Sequence, residues 1–442
     1  MTAALKSGDL DVARMESLTH EGLAVAHVDG KAVFIHGSLP GETVRFRYHK
    51  KRRRYDVGVV TEILDPSADR VTPPCLHFGE CGGCSLQHLE PTAQVAAKQA
   101  ILVETLQRIG HVVPEMMAAP VTGPAWHYRR RARLGARLVP KKGGVIVGFR
   151  ERQSSYIAPL QSCIILDARV GSLIPAIRDL IAGLSCPDRV PQIEVAAGDS
   201  VMALVFRHIS PLTDDDLSAF RRFGTTYGIS VYLQPAGPAS VYPIHSHDTP
   251  ALEYAVDTDL MLQFSPTDFV QINASVNAQM ISRAIDLLAV NGEDRILDFF
   301  CGLGNFSLPL ARRARHVAGV EGSDVLVLQA QENARRNGIR NAEFFREDLY
   351  VAASARTTPC WWNDGFNKAL LDPPRSGAME LIKTFDPEVI RSILYVSCYP
   401  ATLARDAEYL VHVQGYRPEI GGVLDMFPHT SHVESYVLFQ RP

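Results

Sequence analysis

The chain has 442 residues, of which 46% are hydrophobic and 21% charged, with a net charge of −3. That length is too great for one ordinary domain and supplies core for two or three. The composition is that of a globular protein rather than a polycation, no apolar run reaches the ~18 residues of a membrane span, and the opening MTAALKSGDLDVARMES has no basic start followed by an apolar stretch, so no signal peptide is read there.

A cytoplasmic location is therefore expected. In such a reducing compartment the 8 cysteines are expected to be metal ligands, catalysts or buried apolar residues before they are disulfides.

Residues 10 to about 68 read as short strands. LAVAHVDG, KAVFIHG, ETVRFRY and YDVGVVTEIL are β-rich and separated by Asp-Gly, Pro-Gly and Asp-Pro turns. Several short strands in so little chain predict a small barrel of the oligonucleotide-binding kind. Within it, 45-RFRYHKKRRR-54 carries seven Lys or Arg in ten residues and no acid. Next come the Gly- and Cys-rich 73-PPCLHFGECGGCSLQHL-89 and a helical pattern over 91–110. From 126 to about 262 strands mix with one or two helices (GSLIPAIRDLIAGL and DDDLSAFRRFG). This region opens on a second basic stretch, 126–152, with nine Lys or Arg against the single Glu151. Both stretches are interleaved with aromatics (Phe46, Tyr48, Tyr55; Trp126, Tyr128, Phe149). Arg and Lys that hold phosphates beside rings that stack on bases point to a nucleic acid held on one face of a near-neutral protein.

The pattern changes near 265. The segment 267–289 predicts a long amphipathic helix with Thr267 or Ser265 as N-cap. Repeated strand–helix units follow (RILDFF, HVAGVE, AEFFRED, KALLDPP, ILYVSC, then a last strand SYVLFQ), which predicts a parallel, doubly wound α/β sheet. In 296-ILDFFCGLGNFSLPLA-311 a buried strand ends at Asp298 and a turn containing Gly302 and Gly304 opens a helix. The spacing meets neither the dinucleotide nor the P-loop fingerprint. Glu321, Asp348 and Asp372 end the next three strands. Four acids at successive strand carboxyl ends lie where open α/β sheets bind ligands, and Glu321 is placed to take both hydroxyls of a ribose. The set suggests S-adenosylmethionine more than a nicotinamide. Beyond 370-LLDPPRSG-377, the strand 394-LYVSC-398 runs into Tyr399-Pro400, which holds Cys398 at a sheet rim.

Taken together, LDFFCGLGNF, LLDPPRSG, VSCYPATLARD and 425-DMFPHTSHVES-435 resemble the RNA uracil-C5 methyltransferase family. With the N-terminal barrel and 75-CLHFGECGGC-84, the chain is most similar to the bacterial iron–sulfur branch that modifies 23S ribosomal RNA, along nearly its whole length. The resemblance implies a Rossmann-like methyltransferase domain over 263–442, an RNA-binding barrel of the TRAM type over 1–68, and a central mixed α/β domain over 69–262 that carries a [4Fe–4S] cluster. It makes Cys398 the nucleophile that adds to uracil C6, which chemistry supports because uracil C5 alone is too weak a nucleophile for a sulfonium methyl. A local positive potential is then expected to lower the thiol's pKa. Glu434 becomes the base that removes the C5 proton, its pKa raised by a setting among Tyr436, His432 and Phe427. Gln271, Phe300, Asn305, Glu321, Asp348 and Asp372 are implied to line the S-adenosyl-L-methionine site, and Arg375 is open between a target phosphate and a loop salt bridge. Cys75, Cys81, Cys84 and Cys163 are implied as the cluster's four thiolates, although thiolate ligation by itself equally allows zinc. Cys186, Cys301 and Cys360 are left to packing. The implied partner is RNA, 23S ribosomal RNA above all, with neither DNA nor membrane, and a monomer is expected. Two alternatives stay open at this point: a transfer-RNA substrate, and a non-catalytic RNA-binding or assembly factor.

Overall fold

A computed structural model describes residues 10–245, 250–351 and 365–441. Its C-terminal third is built on an eight-stranded sheet in the order Ala342–Arg346, His316–Glu321, Arg295–Phe299, Lys368–Leu371, Ser392–Ser397, Glu434–Gln440, Arg417–Leu424, Met116–Met117. The first five of these are parallel. Alternate residues of each strand enter two different cores: Ile296, Val317, Leu370 and Leu394 on one face, Leu297, Ala318, Ala369 and Ile393 on the other. A sheet covered on both faces explains why these strands read as unbroken apolar runs instead of alternating ones. Helix Ala274–Leu287 covers the first face, and helices Pro91–Ile109 and Pro400–His412 cover the second.

Two expectations are corrected here. The sheet is not wholly parallel: Glu434–Gln440 runs antiparallel to both neighbours. Its link to Arg417–Leu424 contains no helix, and a parallel return needs a long crossover whereas a hairpin does not. The long helix expected over 267–289 begins only at Ala274, capped by Asn273, whose side chain accepts a hydrogen bond from the Val276 N–H. Pro266 and the β-branched Val270 and Ile272 disfavour helix before that point. Ser265 instead closes a turn, its N–H donating to the Asp268 carboxylate at 2.6 Å, and residues 269–272, in neither helix nor strand, pass the mouth of a cavity.

The N-terminal strands form one six-stranded sheet, Leu10–Arg14, Thr43–Lys51, Tyr55–Asp65, Lys31–His36, Ala24–Val28, Ser17–Leu18 in spatial order, with Val33, Ile35, Val44 and Phe46 in its core. The middle of the chain holds a second six-stranded sheet, Arg131–Val139 to Tyr242–Pro243, packed by helices Ile174–Ala182 and Asp214–Tyr227. The latter opens with a capping box between Thr213 and Asp216. The hairpin of Leu252–Asp257 and Leu260–Phe264 belongs to the same hydrophobic core as helix Ala274–Leu287. No helix of the described residues is long and apolar enough to cross a membrane.

Candidate active site

The strand order reverses between Arg295–Phe299 and Lys368–Leu371, and ligands of open α/β sheets bind at the strand carboxyl ends of such a switch point. There the chain after Phe299 turns through Phe300 at φ 62°, Gly302 at 54° and Gly304 at 92°. Glycine enters the left-handed region without strain, but Phe300 does not, and strain of this kind gathers at functional sites. The Gly302 N–H donates to one oxygen of Glu321 at 3.2 Å. Those of Gly322 and Ser323 donate to the other at 2.8 and 3.1 Å. Asp298 is fully buried beneath the loop, one oxygen accepting from the Ser307 hydroxyl. Burial, then the neighbouring Asp372 and Glu321 charges, push it up to about 7.

The other expected residues converge on the same space. Asn305 is locked in a reciprocal amide pair with Asn277, both bonds 3.0 Å, and accepts from the Tyr254 hydroxyl. Asp348 accepts from the Tyr350 N–H at 3.0 Å, and the Tyr350 ring tilts against Phe300 with centroids 5.9 Å apart. The Gln271 amide, carried in on that irregular segment, lies 3.5 Å from the Asp372 carboxylate. Gln271, Phe300, Asn305, Glu321, Asp348, Asp372, Cys398 and Glu434 all line one cavity of about 740 Å³.

Cys398 and Glu434 meet because of the reversed last strand. Ser397 pairs with Ser435 across the antiparallel ladder, so the residue after one and the residue before the other stand side by side at the rim. Burial, then the Asp372 charge, raises Glu434 well above the usual carboxylate range. The rise was expected from the burying neighbours; the Asp372 charge adds to it. The expected positive potential at Cys398 is not what surrounds it. Burial, then the Glu434 and Asp372 charges, push the thiol up to about 11, and Arg375 alone opposes them among the leading charges. Arg375 donates to His432 Nδ1 at 3.1 Å. Phe269, Tyr254, Tyr350 and Arg346 also line the cavity and were missed in the sequence. Phe269 is 72% exposed at the mouth. It stands two residues from Gln271, in the same irregular segment.

A second cavity, of about 410 Å³, gathers Cys75, Cys81, Cys84 and Cys163, all free thiols. The Gly83 N–H donates to Cys81 Sγ at 3.4 Å. Gln87, also on the wall, is buried with its amide against the Cys84 thiol. Among the described residues, however, no three His, Cys, Asp or Glu stand close enough to hold a single metal ion. Of the remaining cysteines, Cys301 is buried as packing requires, Cys186 is exposed instead, and Cys360 lies outside the described residues.

Known proteins resemble this chain strongly. Residues 252–442 match the tRNA (Uracil-5-)-methyltransferase family and residues 13–59 the TRAM domain. The 23S rRNA (uracil(1939)-C(5))-methyltransferase RlmD of Alkalilimnicola ehrlichii is 51% identical over 96% of this chain and 95% of its own length. The chain belongs to the RNA uracil-C5 methyltransferase family. Within that family, the enzyme of the same name from Aromatoleum aromaticum is 48% identical over 98% of this chain and 100% of its own. The fold is also that of the tRNA (uracil-54, C5)-methyltransferase of Pyrococcus abyssi, solved with S-adenosyl-L-homocysteine. It superposes with a TM-score of 0.73 at 24% identity, over 98% of this chain and 100% of that one. For an RNA uracil-C5 methyltransferase, the 740 Å³ cavity has the residue types required: acids on strand ends for a nucleoside, a thiol, and a carboxyl beside it.

Proposed function

We propose that this protein methylates C5 of a uridine in 23S ribosomal RNA with S-adenosyl-L-methionine as methyl donor, acting in the cytoplasm and through the N-terminal barrel and the basic stretches for RNA grip. The observation that carries this is the cross-strand placement of Cys398 beside Glu434 on the wall of the nucleoside-type cavity. Identity of about half over nearly the full length of the relatives supports the substrate. Three units, 1–68, 69–262 and 263–442, divide the work.

Glu321, with one side already fixed by backbone N–H groups, is the residue for ribose hydroxyls, and Phe300 and Tyr350 give flat apolar surface beside it. Gln271 and Asp372, in contact with each other on the same wall, complete the cofactor side of the cavity. Bound S-adenosylmethionine supplies an electrophilic methyl and a positive charge. Cys398 as thiolate forms a bond to uracil C6, which moves the ring's electron pair to C5, where it would take the methyl as the methyl–sulfur bond breaks and the pair stays on the sulfur of S-adenosylhomocysteine. C5 then carries both a methyl and a hydrogen. Glu434 as carboxylate takes that proton, the electron pair returns to the C5–C6 bond, and the C6–S bond breaks to release the thiolate. The base reaches this pocket only out of its stack, so the target lies in a loop or a remodelled helix.

The test uses labelled S-adenosylmethionine and a short RNA containing the target uridine. Cys398→Ala is expected to abolish methylation while cofactor still binds. Glu434→Gln is expected to transfer the methyl and then stall as a denaturation-resistant protein–RNA adduct. Turnover of Cys398→Ala within tenfold of the wild type, or normal turnover by Glu434→Gln, sinks the assignment.

Cys75, Cys81, Cys84 and Cys163 are proposed as ligands of a [4Fe–4S] cluster. Four thiols on one cavity, a backbone N–H already aimed at Cys81 Sγ, and the buried Gln87 amide against the Cys84 thiol all suit it. Protein purified without oxygen is expected to be brown, with iron and sulfide in equal amounts. Stoichiometric zinc without iron overturns this.

A further inference from the structure

The chain between strands Arg417–Leu424 and Glu434–Gln440 delivers Phe427, His432 and Glu434 to the active-site cavity, yet it contains neither helix nor strand of its own. An irregular segment of that length keeps one conformation only if other parts of the fold satisfy its backbone. Its centre is also strained, with His429 at φ 64° and almost fully buried.

The face of helix Pro91–Ile109 that meets this segment breaks the amphipathic rule. Its buried stripe runs Gln94, Lys98, Leu102, Leu106, polar where it touches the 425–433 segment and apolar where it joins the core. Lys98 is 1% exposed. A lysine is almost never fully buried unless paired, and this one donates to the Asp425 carboxylate at 2.6 Å and to the Phe427 carbonyl at 2.9 Å. One turn earlier, the Gln94 carbonyl oxygen accepts from the His429 N–H at 2.8 Å, and its amide nitrogen lies 3.1 Å from His429 Nδ1. The same nitrogen also donates to the Leu86 and Leu89 carbonyls. The Ser85 and Leu86 N–H groups, next to Cys84, donate to the His429 carbonyl at 2.9 and 3.0 Å. Trp126 stacks on the His429 ring at 3.9 Å. Leu424, just before Asp425, is the ladder partner of Glu434, so an anchor on Asp425 is an anchor at the proposed base.

We propose that Gln94 and Lys98 are positioning residues for catalysis: they clamp the 425–433 segment and thereby set where Glu434 stands against Cys398. This rests on the function proposed above only for the role of Glu434; the clamp itself rests on the contacts.

The test compares full-length Gln94→Met and Lys98→Met with the wild type and with Glu434→Gln. In both clamp variants amide exchange over 425–433 is expected to rise at least tenfold while strand Ser392–Ser397 keeps its protection. kcat is expected to fall at least tenfold, with the KM for RNA and the affinity for S-adenosylhomocysteine within threefold, and methylated adduct is expected to accumulate as in Glu434→Gln. Lys98→Met leaves Asp425 buried without its cation, so if that variant fails to bind S-adenosylhomocysteine, Gln94→Met, which keeps the ion pair, decides. Unchanged exchange over 425–433 overturns the clamp. Loosened exchange with unchanged kcat overturns its catalytic purpose, as does a fall in kcat without adduct when Glu434→Gln traps one. If Glu434→Gln itself turns over normally, the base assignment fails, and exchange with kcat still judges the clamp.

Discussion

Cys398 is held in an environment that opposes its ionisation. The thiol sits against two carboxyl groups, Glu434 and Asp372, and burial raises it further, to about 11. A thiol held above its ordinary value of ~8.5 stays protonated through neutral pH. A cation placed among these groups reverses the balance, because opposite charge favours the ionised form of the thiol and of both acids. Alkylation of Cys398 by iodoacetamide in ligand-free protein is therefore expected to keep rising past pH 10. S-adenosylmethionine, which is cationic at sulfur, is expected to move the midpoint down, and uncharged S-adenosylhomocysteine is expected to leave it in place. A ligand-free midpoint near pH 8.5 contradicts the geometry. Protection by the environment also suits a reactive cysteine in a cell, since a thiol oxidises in proportion to its thiolate character.

The segment 265–273 shows how a short element decides what a residue can do. The amphipathic pattern runs through it, but helix starts at Asn273, and the residues before it are free to enter the cavity mouth. Asn273 has two ties: its carbonyl oxygen caps the helix through the Val276 N–H, and its amide nitrogen reaches the Pro124 carbonyl at 3.5 Å. Asn273→Ala is expected to lower stability by about 1 kcal/mol in urea unfolding and to weaken catalysis through Gln271, whereas Asn273→Asp is expected to keep most of the stability. A stability change below a few tenths of a kcal/mol for Asn273→Ala would mean that another group caps the helix. The sequence pointed to Thr267 or Ser265 as the cap; the turn closed by Asp268 on Ser265 and the Asn273 cap place the helix start later.

Across the whole molecule, the cysteine cavity is a meeting point. Its wall takes Glu21, Gly22 and His36 from the N-terminal sheet, Phe149 and Arg152 from the middle of the chain, and Thr430, Ser431 and His432 from the segment that leads to Glu434. RNA grip and chemistry are thus built against one site. The two basic stretches differ once folded. Arg130 pairs with Asp199 and Arg131 with Glu194, both largely covered, so part of the second stretch is spent inside the protein, whereas Arg133, also paired with Glu194, stays exposed. Arg52, Arg53 and Arg54 lie exposed at a turn between Thr43–Lys51 and Tyr55–Asp65. Replacing all three with Gln is expected to weaken RNA binding and to flatten the slope of log K against log salt by about 2, as counterion release from single-stranded RNA requires. An unchanged slope would make this turn a solvated loop.

Local patterns were enough for several features. Alternation marked the strands Ala24–Val28, Lys31–His36, Thr43–Lys51 and Tyr55–Asp65, and apolar runs near acids marked the strands of the larger sheet, although only Glu321 ends its strand: Asp298 lies one residue inside Arg295–Phe299, and Asp348 and Asp372 follow the ends of Ala342–Arg346 and Lys368–Leu371. Those signals survive because hydrophobic period and turn chemistry act within a few residues. The motif resemblance extended this to Cys398 and Glu434 as residues of interest. It could not show what lies between residues distant in sequence. The direction of the last strand, which puts Glu434 beside Cys398, follows from a hairpin closing on a sheet. The charge around Cys398 depends on which acids the fold buries together. The work of Lys98 and Gln94 depends on a helix more than three hundred positions away from its partners. Burial and long-range pairing exist only once the chain has folded, and burial, more than residue type, decides whether a lysine is solvated or a clamp and whether a thiol is ionised or held back.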